Sequence, residues 1–292
     1  MSHNNHIIDN VNKELNMFYP NRDAYLELTN NFRSKLPDII MKKHDNINVI
    51  REDLILKGGT KTRFGEFYFS TIKKDVVVYV APRYGLAAVA LLELCKLYNK
   101  EVIFFMPACK EISDHQAYVI NEKPKDVIFK RIAAMPNLNK LAKEYAELNN
   151  YEFIPFGLNH PYVIAGAVRV CEELLKNYNE PDELWTAVST GVLTRGLQIG
   201  FENTDMRGVA VARNMKAGEL GRTKIISEPI GFHSKEKMLP PFDTVENYDA
   251  KVWKYIPKDT NKNIWFWNVA KDVKCPNTFN KKLINSYKEW NE

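Results

Sequence analysis

From Asp75 onward, short runs of β-branched and aromatic residues alternate with longer amphipathic stretches, and this alternation leaves few architectures open to the chain. The runs are Val76–Val80, Val102–Met106, Val127–Phe129, Leu184–Val188, Gly208–Arg213 and Lys224–Ile226. Nearly every residue in them is apolar, whereas a strand with one wet face shows every second one. Each is therefore expected to be a strand buried on both faces. Between them the spacing predicts helices over Leu86–Leu97, Leu138–Leu148 and Ala165–Tyr178. Strand and helix in regular succession imply an α/β fold with largely parallel sheets covered on both sides. Such sheets take their ligands at the carboxyl ends of the strands, in the loops that lead into helices.

The two ends are less regular. Residues 1–47 read as mainly helical, broken at Pro20 and Pro37, and residues 231–245, which contain Pro240 and Pro241, read as loop. Residues 246–257 read as one helix stopped before Pro257. Trp265, Phe266 and Trp267 in the tail are expected to pack against the main body.

A chain of 292 residues, 45% hydrophobic and 26% charged, suits a soluble protein of one large domain or two. No apolar run approaches the 18 or more residues of a membrane span, and Met1–His6 lacks the basic start and apolar stretch of a secretory signal. The expected compartment is the cytoplasm. Cys95, Cys109, Cys171 and Cys275 are scattered, without C-x-x-C or Cys/His ligand spacing, so no metal site is expected and they read as small core residues. The net charge is +5, with nine lysines against four acids over residues 251–292. A solvated lysine-rich surface is the expectation there, and nucleic acid is not the expected partner.

The first segment that carries chemistry is Val49-Ile-Arg-Glu-Asp-Leu-Ile-Leu-Lys-Gly-Gly-Thr-Lys61-Thr-Arg63. An apolar strand leads into two glycines, then a lysine at the mouth of a helix beginning near Thr62. A helix start offers free N–H groups and positive potential, which suit a phosphate and depress a neighbouring lysine's pKa. A lysine must lose its proton before it attacks an aldehyde, so the setting favours imine chemistry. From these residues alone, a solvent-facing turn lysine explains Gly-Gly-x-Lys equally well, and Lys57 competes with Lys61.

Arg-Glu-Asp followed by Gly-Gly-x-Lys-x-Arg resembles the lysine segment of the D-cysteine desulfhydrase and aminocyclopropane-carboxylate deaminase branch of the fold type II, tryptophan-synthase-β-like, pyridoxal-phosphate enzymes. Lys61 matches the branch's cofactor lysine, with Thr60 where the branch has Asn, and Lys57 falls outside the pattern. Tyr79–Gly85, Glu101–Pro107 and His160–Gly166 follow in the family's order. Then Leu184–Gly191 and Thr194–Leu197 occupy the place of its phosphate-cup loop, and the resemblance spans about residues 48 to 256. It implies that Ser189, Thr190, Gly191, Val192, Leu193 and Thr194 receive the cofactor phosphate. Residues 81–87 lack the family's Asn or His, so at the ring loop either Arg83 or Tyr84 fills that place or it stands vacant. Asp249 matches a branch Thr that contacts the pyridine nitrogen, while capping of the following helix explains an aspartate there equally well.

The resemblance implies two parallel-sheet, three-layer domains with a cofactor cleft between them. Residues 1–75 and 166–292 would form the larger cofactor-binding domain, and residues 76–165 a smaller inserted one. The implied function is that of a pyridoxal 5'-phosphate-dependent lyase or deaminase acting on a small amino acid through a Lys61 Schiff base, in a homodimer. Two alternatives remain open. One is a divergent member acting on an unusual or nucleotide-linked amine, with Arg83, Arg195 and the basic tail receiving its anionic part. The other is a non-catalytic binding protein on the same fold.

Overall fold

The computed structural model describes residues 21–109, 111–131, 134–215 and 218–275. The chain divides into two compact units, one of residues 21–68 with 159–272 and one of residues 69–158 with 273–275. The expectations for residues 1–20 and 276–292 lie outside the described residues.

The larger unit is built on a six-stranded sheet. In chain order its strands are β1 (Met41–His44), β2 (Ile47–Arg51), β7 (Glu183–Val188), β8 (Asp205–Ala210), β9 (Lys224–Ser227) and β10 (Ile264–Asn268). Their order across the sheet is β1-β2-β10-β7-β8-β9. β1 joins β2 antiparallel through a two-residue turn in which Asp45 takes a φ of 54°, a conformation aspartate tolerates. Every other pair in this sheet is parallel. Asn268 pairs with Arg51 and Val188 with Ala210, so the carboxyl ends of β2, β10, β7 and β8 share one edge. Ile47, Val49, Trp185, Ala187, Val209, Ile264 and Phe266 form the core of one face with Val252, Trp253 and Ile256.

The smaller unit has a four-stranded parallel sheet, β3 (Val76–Val80), β4 (Glu101–Pro107), β5 (Asp126–Lys130) and β6 (Glu152–Phe153), in the order β5-β4-β3-β6. One face buries Val76, Val78, Val80, Ile103, Phe105 and Ile128 against Leu138, Ala142 and Ala146. These last three come from one stripe of the helix Met135–Leu148, whose opposite face carries its charges.

The helices are α1 (Arg22–Leu28), α2 (Thr60–Thr71), α3 (Ala87–Leu97), α4 (Asp114–Asn121), α5 (Met135–Leu148), α6 (Pro161–Leu175), α7 (Val192–Gly200) and α8 (Ala250–Trp253). Three expectations need correction. Residues 29–47 are not helical: Met41–His44 is strand β1, and before it Ser34 and the Lys35 N–H bind Glu66, and Pro37 O accepts from Arg63. The stretch around Ser34 to Pro37 therefore straps α2 instead of coiling. The run placed at Gly208–Arg213 starts three residues earlier and ends at Ala210, because its partner β7 fixes the register. The helix expected over 246–257 shrinks to Ala250–Trp253, because residues 245–250 turn instead to aim Tyr248 and Asp249 at the strand ends.

Gly59 shows how tightly the turn before α2 is built. Its φ is +60°, and a Cβ there would stand 1.8 Å from the Val269 carbonyl oxygen. Gly59→Ala combines a backbone penalty with a clash against backbone that cannot move aside. It should lower stability by about 4 kcal/mol or more, read as a shifted denaturant midpoint.

Candidate active site

The larger unit gathers most of the residues singled out from sequence at its shared carboxyl edge. The turn carrying Lys61 follows β2, Val269 and Ala270 follow β10, and Ser189–Gly191 follow β7. These strands are neighbours in the order β2-β10-β7. At the usual strand spacing, the first and last are roughly 10 Å apart.

Lys61 is the second residue of α2 and is half-buried, while Lys57 is exposed. Burial alone lowers the Lys61 amine from 10.5 to about 8. No acid opposes the shift, so a substantial neutral fraction exists near neutral pH.

The charged residues around this lysine are its scaffold. Arg51 grips Asp53 with two bonds, Nε to Oδ1 at 2.8 Å and Nη2 to Oδ2 at 2.7 Å. Arg63 grips Glu52 in the same manner, at 2.6 and 3.1 Å. All four are buried. Burial pushes the Glu52 carboxyl up, and the Arg63 guanidinium opposes that. Thr60 ties the turn to β10: its N–H donates to Val269 O at 2.9 Å, and its hydroxyl accepts from Trp267 Nε1 at 2.8 Å. The Arg-Glu-Asp and Lys-x-Arg of the motif thus hold the lysine turn on the strand ends.

Asp249 is fully buried and makes no capping bond to α8. Its Oδ2 accepts from the Val269 N–H at 3.2 Å, and its Oδ1 has no partner among the described residues. Burial raises its pKa well above 3.8; Asp272 and Asp53 add to the rise, and the Val269 and Ala270 N–H groups oppose it. The neighbouring Tyr248 hydroxyl donates to Ala187 O at 3.3 Å, anchoring this segment to β7. Lys61 and Asp249 therefore both lean on Val269, one through Thr60 and one directly.

Gly191, with a φ of 81°, precedes α7, whose first turn has no side-chain cap. Val192, Leu193 and Thr194 form that turn, leaving backbone N–H groups free for an anion. The Thr194 hydroxyl is buried without a partner, and the half-buried Ser189 and Thr190 hydroxyls make no hydrogen bond among the described residues. Arg195, one turn position further, donates to Asn159 at 3.2 Å.

Arg83 and Tyr84 belong to the smaller unit, in the loop after β3. Arg83 is exposed, and its guanidinium stands 5.5 Å from the Tyr84 ring centre. Its carbonyl accepts from the Ser113 hydroxyl, and the Gly85 N–H donates to His115 Nδ1 at 3.0 Å. His115, on α4, was not singled out from sequence. The Ser113-x-x-Gln116 capping box that starts α4 was the signal that could have revealed that helix.

Among the described residues, no group of three or more His, Cys, Asp or Glu is placed to hold a metal, and no helix is long and apolar enough to cross a membrane. No protein-family model matches the chain, and no curated protein matches it in sequence. Solved structures do match. An ACC deaminase homologue superposes with a TM-score of 0.70 at 17% identity, over 84% of this chain and 94% of its own. Maize serine racemase gives 0.64 at 14% identity, over 91% and 94%. A pyridoxal 5'-phosphate-dependent aspartate racemase gives 0.59 at 11% identity, over 87% and 95%. With one parallel sheet and one parallel but for its edge strand β1, the chain has the tryptophan-synthase-β-like α/β fold that these structures share.

Proposed function

We propose that the chain is a pyridoxal 5'-phosphate-dependent lyase or deaminase acting on a small amino acid, with Lys61 as the residue that carries the cofactor covalently. One observation supports this above the others. A lysine whose amine burial brings to about 8 lies two sheet positions from an uncapped helix start, on one carboxyl edge. A binding scaffold has no use for a desolvated amine with no opposing acid.

The residues fit the group in three places. The Val192, Leu193 and Thr194 N–H groups, with the Ser189, Thr190 and Thr194 hydroxyls, would hold its phosphate, and Gly191 permits close backbone approach. The unpartnered Oδ1 of Asp249 is an acceptor suited to a protonated ring nitrogen. Once bound, pyridoxal phosphate supplies the electron sink that allows bonds at the substrate α-carbon to break. Lys61 would hold the cofactor and would move a proton at the substrate Cα or Cβ. The choice of lyase or deaminase follows the segment resemblance and the likeness to an ACC deaminase homologue, which is fold-level analogy. A homodimer in the cytoplasm is the setting this reading expects.

A second reading rests on Arg83. It is exposed, with no carboxylate partner among the described residues, which favours a substrate with an additional anionic part, such as a nucleotide-linked amine.

Incubation with pyridoxal phosphate, borohydride reduction and peptide mass analysis test the proposal. A cofactor-sized increment on Lys61 is expected, and absence of any increment would overturn the reading. Ser189→Ala combined with Thr190→Ala should weaken cofactor retention by about 1–3 kcal/mol per charge-assisted bond lost. An unchanged dissociation constant would remove these hydroxyls from the phosphate site.

A further inference from the structure

α7 starts at the candidate phosphate loop, and its far end is closed by one side chain. Arg222, in the segment between β8 and β9, is half-buried against the last turn of the helix. Its Nη2 donates to Gln198 O at 2.9 Å and to Phe201 O, and its Nη1 donates to Thr204 O. Its backbone N–H donates to Gln198 Oε1 at 3.1 Å. Gln198 O and Phe201 O lie at the end of α7, where carbonyls lack partners within the helix. A guanidinium there also meets the negative end of the helix dipole. Two residues earlier, Leu220 covers the other end: a Cβ on Gly191 would stand 2.4 Å from Leu220 Cδ2. Residues 220–222 therefore span α7 from its start to its last turn.

A nine-residue helix is marginal on its own, and this one begins without a side-chain cap. It lies on α6 through Gly196 and Gly200, where a Cβ would stand 2.4 Å from Ala167 Cβ and from Cys171 Cβ respectively. Contact through two glycines admits close approach but offers no knob there against sliding along the axis. The lengthwise position of α7 is then set at its ends. Its first turn supplies the free N–H groups and the buried, unpartnered Thr194 hydroxyl of the anion site. We propose that Arg222 is a positioning residue of the candidate phosphate site: by gripping the last turn of α7 it sets where the first turn stands. Arg222 itself touches no ligand. The inference rests on the proposed function only for the identity of the anion as the cofactor's phosphate. A helix about 13 Å long carries a shift at one end to the other. Charge-assisted hydrogen bonds need roughly 2.7–2.9 Å, so a small axial shift weakens them all together.

Calorimetric titration of the full chain with inorganic phosphate, without added cofactor, tests the proposal. The unaltered protein should bind phosphate, and Arg222→Leu should bind it about tenfold more weakly, the scale of one charge-assisted hydrogen bond. Arg222→Lys keeps a charge but loses the planar fork that spans three carbonyls, and should bind about threefold more weakly. Reductive trapping on Lys61 adds a readout that a merely structural cap would not move selectively. In Arg222→Leu the half-saturating concentration of pyridoxal phosphate should rise about tenfold, while that of pyridoxal, which has no phosphate, should stay the same. An equal rise for both ligands would overturn the proposal and leave Arg222 a stabiliser of the fold. So would unchanged phosphate affinity in whichever variant folds, or no phosphate binding by the unaltered protein. If phosphate binds and weakens as stated but nothing is trapped on Lys61, the proposed function falls and the role of Arg222 stands.

Discussion

Lys61→Ala should abolish reductive trapping of pyridoxal phosphate, while Lys57→Ala should trap as the unaltered protein does. The contrast follows from burial: Lys57 is exposed, and burial lowers the Lys61 amine to about 8. The trapping rate should have the matching pH dependence. Only the neutral amine attacks, so the rate should rise about tenfold per pH unit below 8 and level off above it. Turnover on any accepted amino acid should fall at least about 10³-fold in Lys61→Ala, because the attachment point and the proton carrier are lost together. Peptide mass analysis across pH 6 to 9 distinguishes the outcomes. An equal increment on Lys57, or a flat pH profile, would remove Lys61 from its role.

Between Val76 and Leu175, β3, β4, β5, α3, α5 and α6 were legible because each buried run announces itself by composition alone, although α4 and the two-residue β6 went unread. Two kinds of feature were not. β10 lies in the tail, outside the regular alternation of strand and helix patterns, so its five buried residues read only as aromatic packing. Its place between β2 and β7 follows from long-range pairing that periodicity does not encode. The short α8 was misread for the opposite reason. Residues 246–257 have helical composition, but Tyr248 and Asp249 are drawn to the ends of β7 and β10, and tertiary contacts override local preference. The candidate site was visible as motifs, without the division of labour inside them. Arg51, Asp53, Glu52 and Arg63 looked like one signature with Lys61, yet the structure uses all four as paired clamps. Arg222 and His115 carried no motif, and only hydrogen-bond geometry singles them out.

Asp249→Asn should leave the fold intact, make it more stable at neutral and alkaline pH, and cut turnover by about 10²-fold. The stability part follows from linkage. Burial raises the folded-state pKa of Asp249 well above 3.8, with Asp272 and Asp53 adding to it. A group raised in the folded state contributes stability that is fully present below its unfolded value and is lost as pH climbs through the folded value. Asn copies the neutral carboxyl at every pH. Its oxygen can accept from the Val269 N–H as Asp249 Oδ2 does. The melting temperatures of the two proteins should therefore coincide in acid and separate as pH rises. Between the unfolded value of about 3.9 and the folded pKa the gap should widen by about 1.4 kcal/mol per pH unit, and above the folded pKa it should level off. The loss of turnover has a separate cause, since Asn offers a protonated ring nitrogen no matching negative charge. Helix capping predicts neither effect. Asn caps about as well as Asp, so both activity and the pH dependence of stability would persist. The structure already lacks the capping bond, with Oδ2 on Val269 and Oδ1 unpartnered among the described residues. Thermal melts from pH 4 to 9, paired with turnover at one pH, decide the matter. Parallel melting curves with near-normal turnover would return Asp249 to the role of a cap.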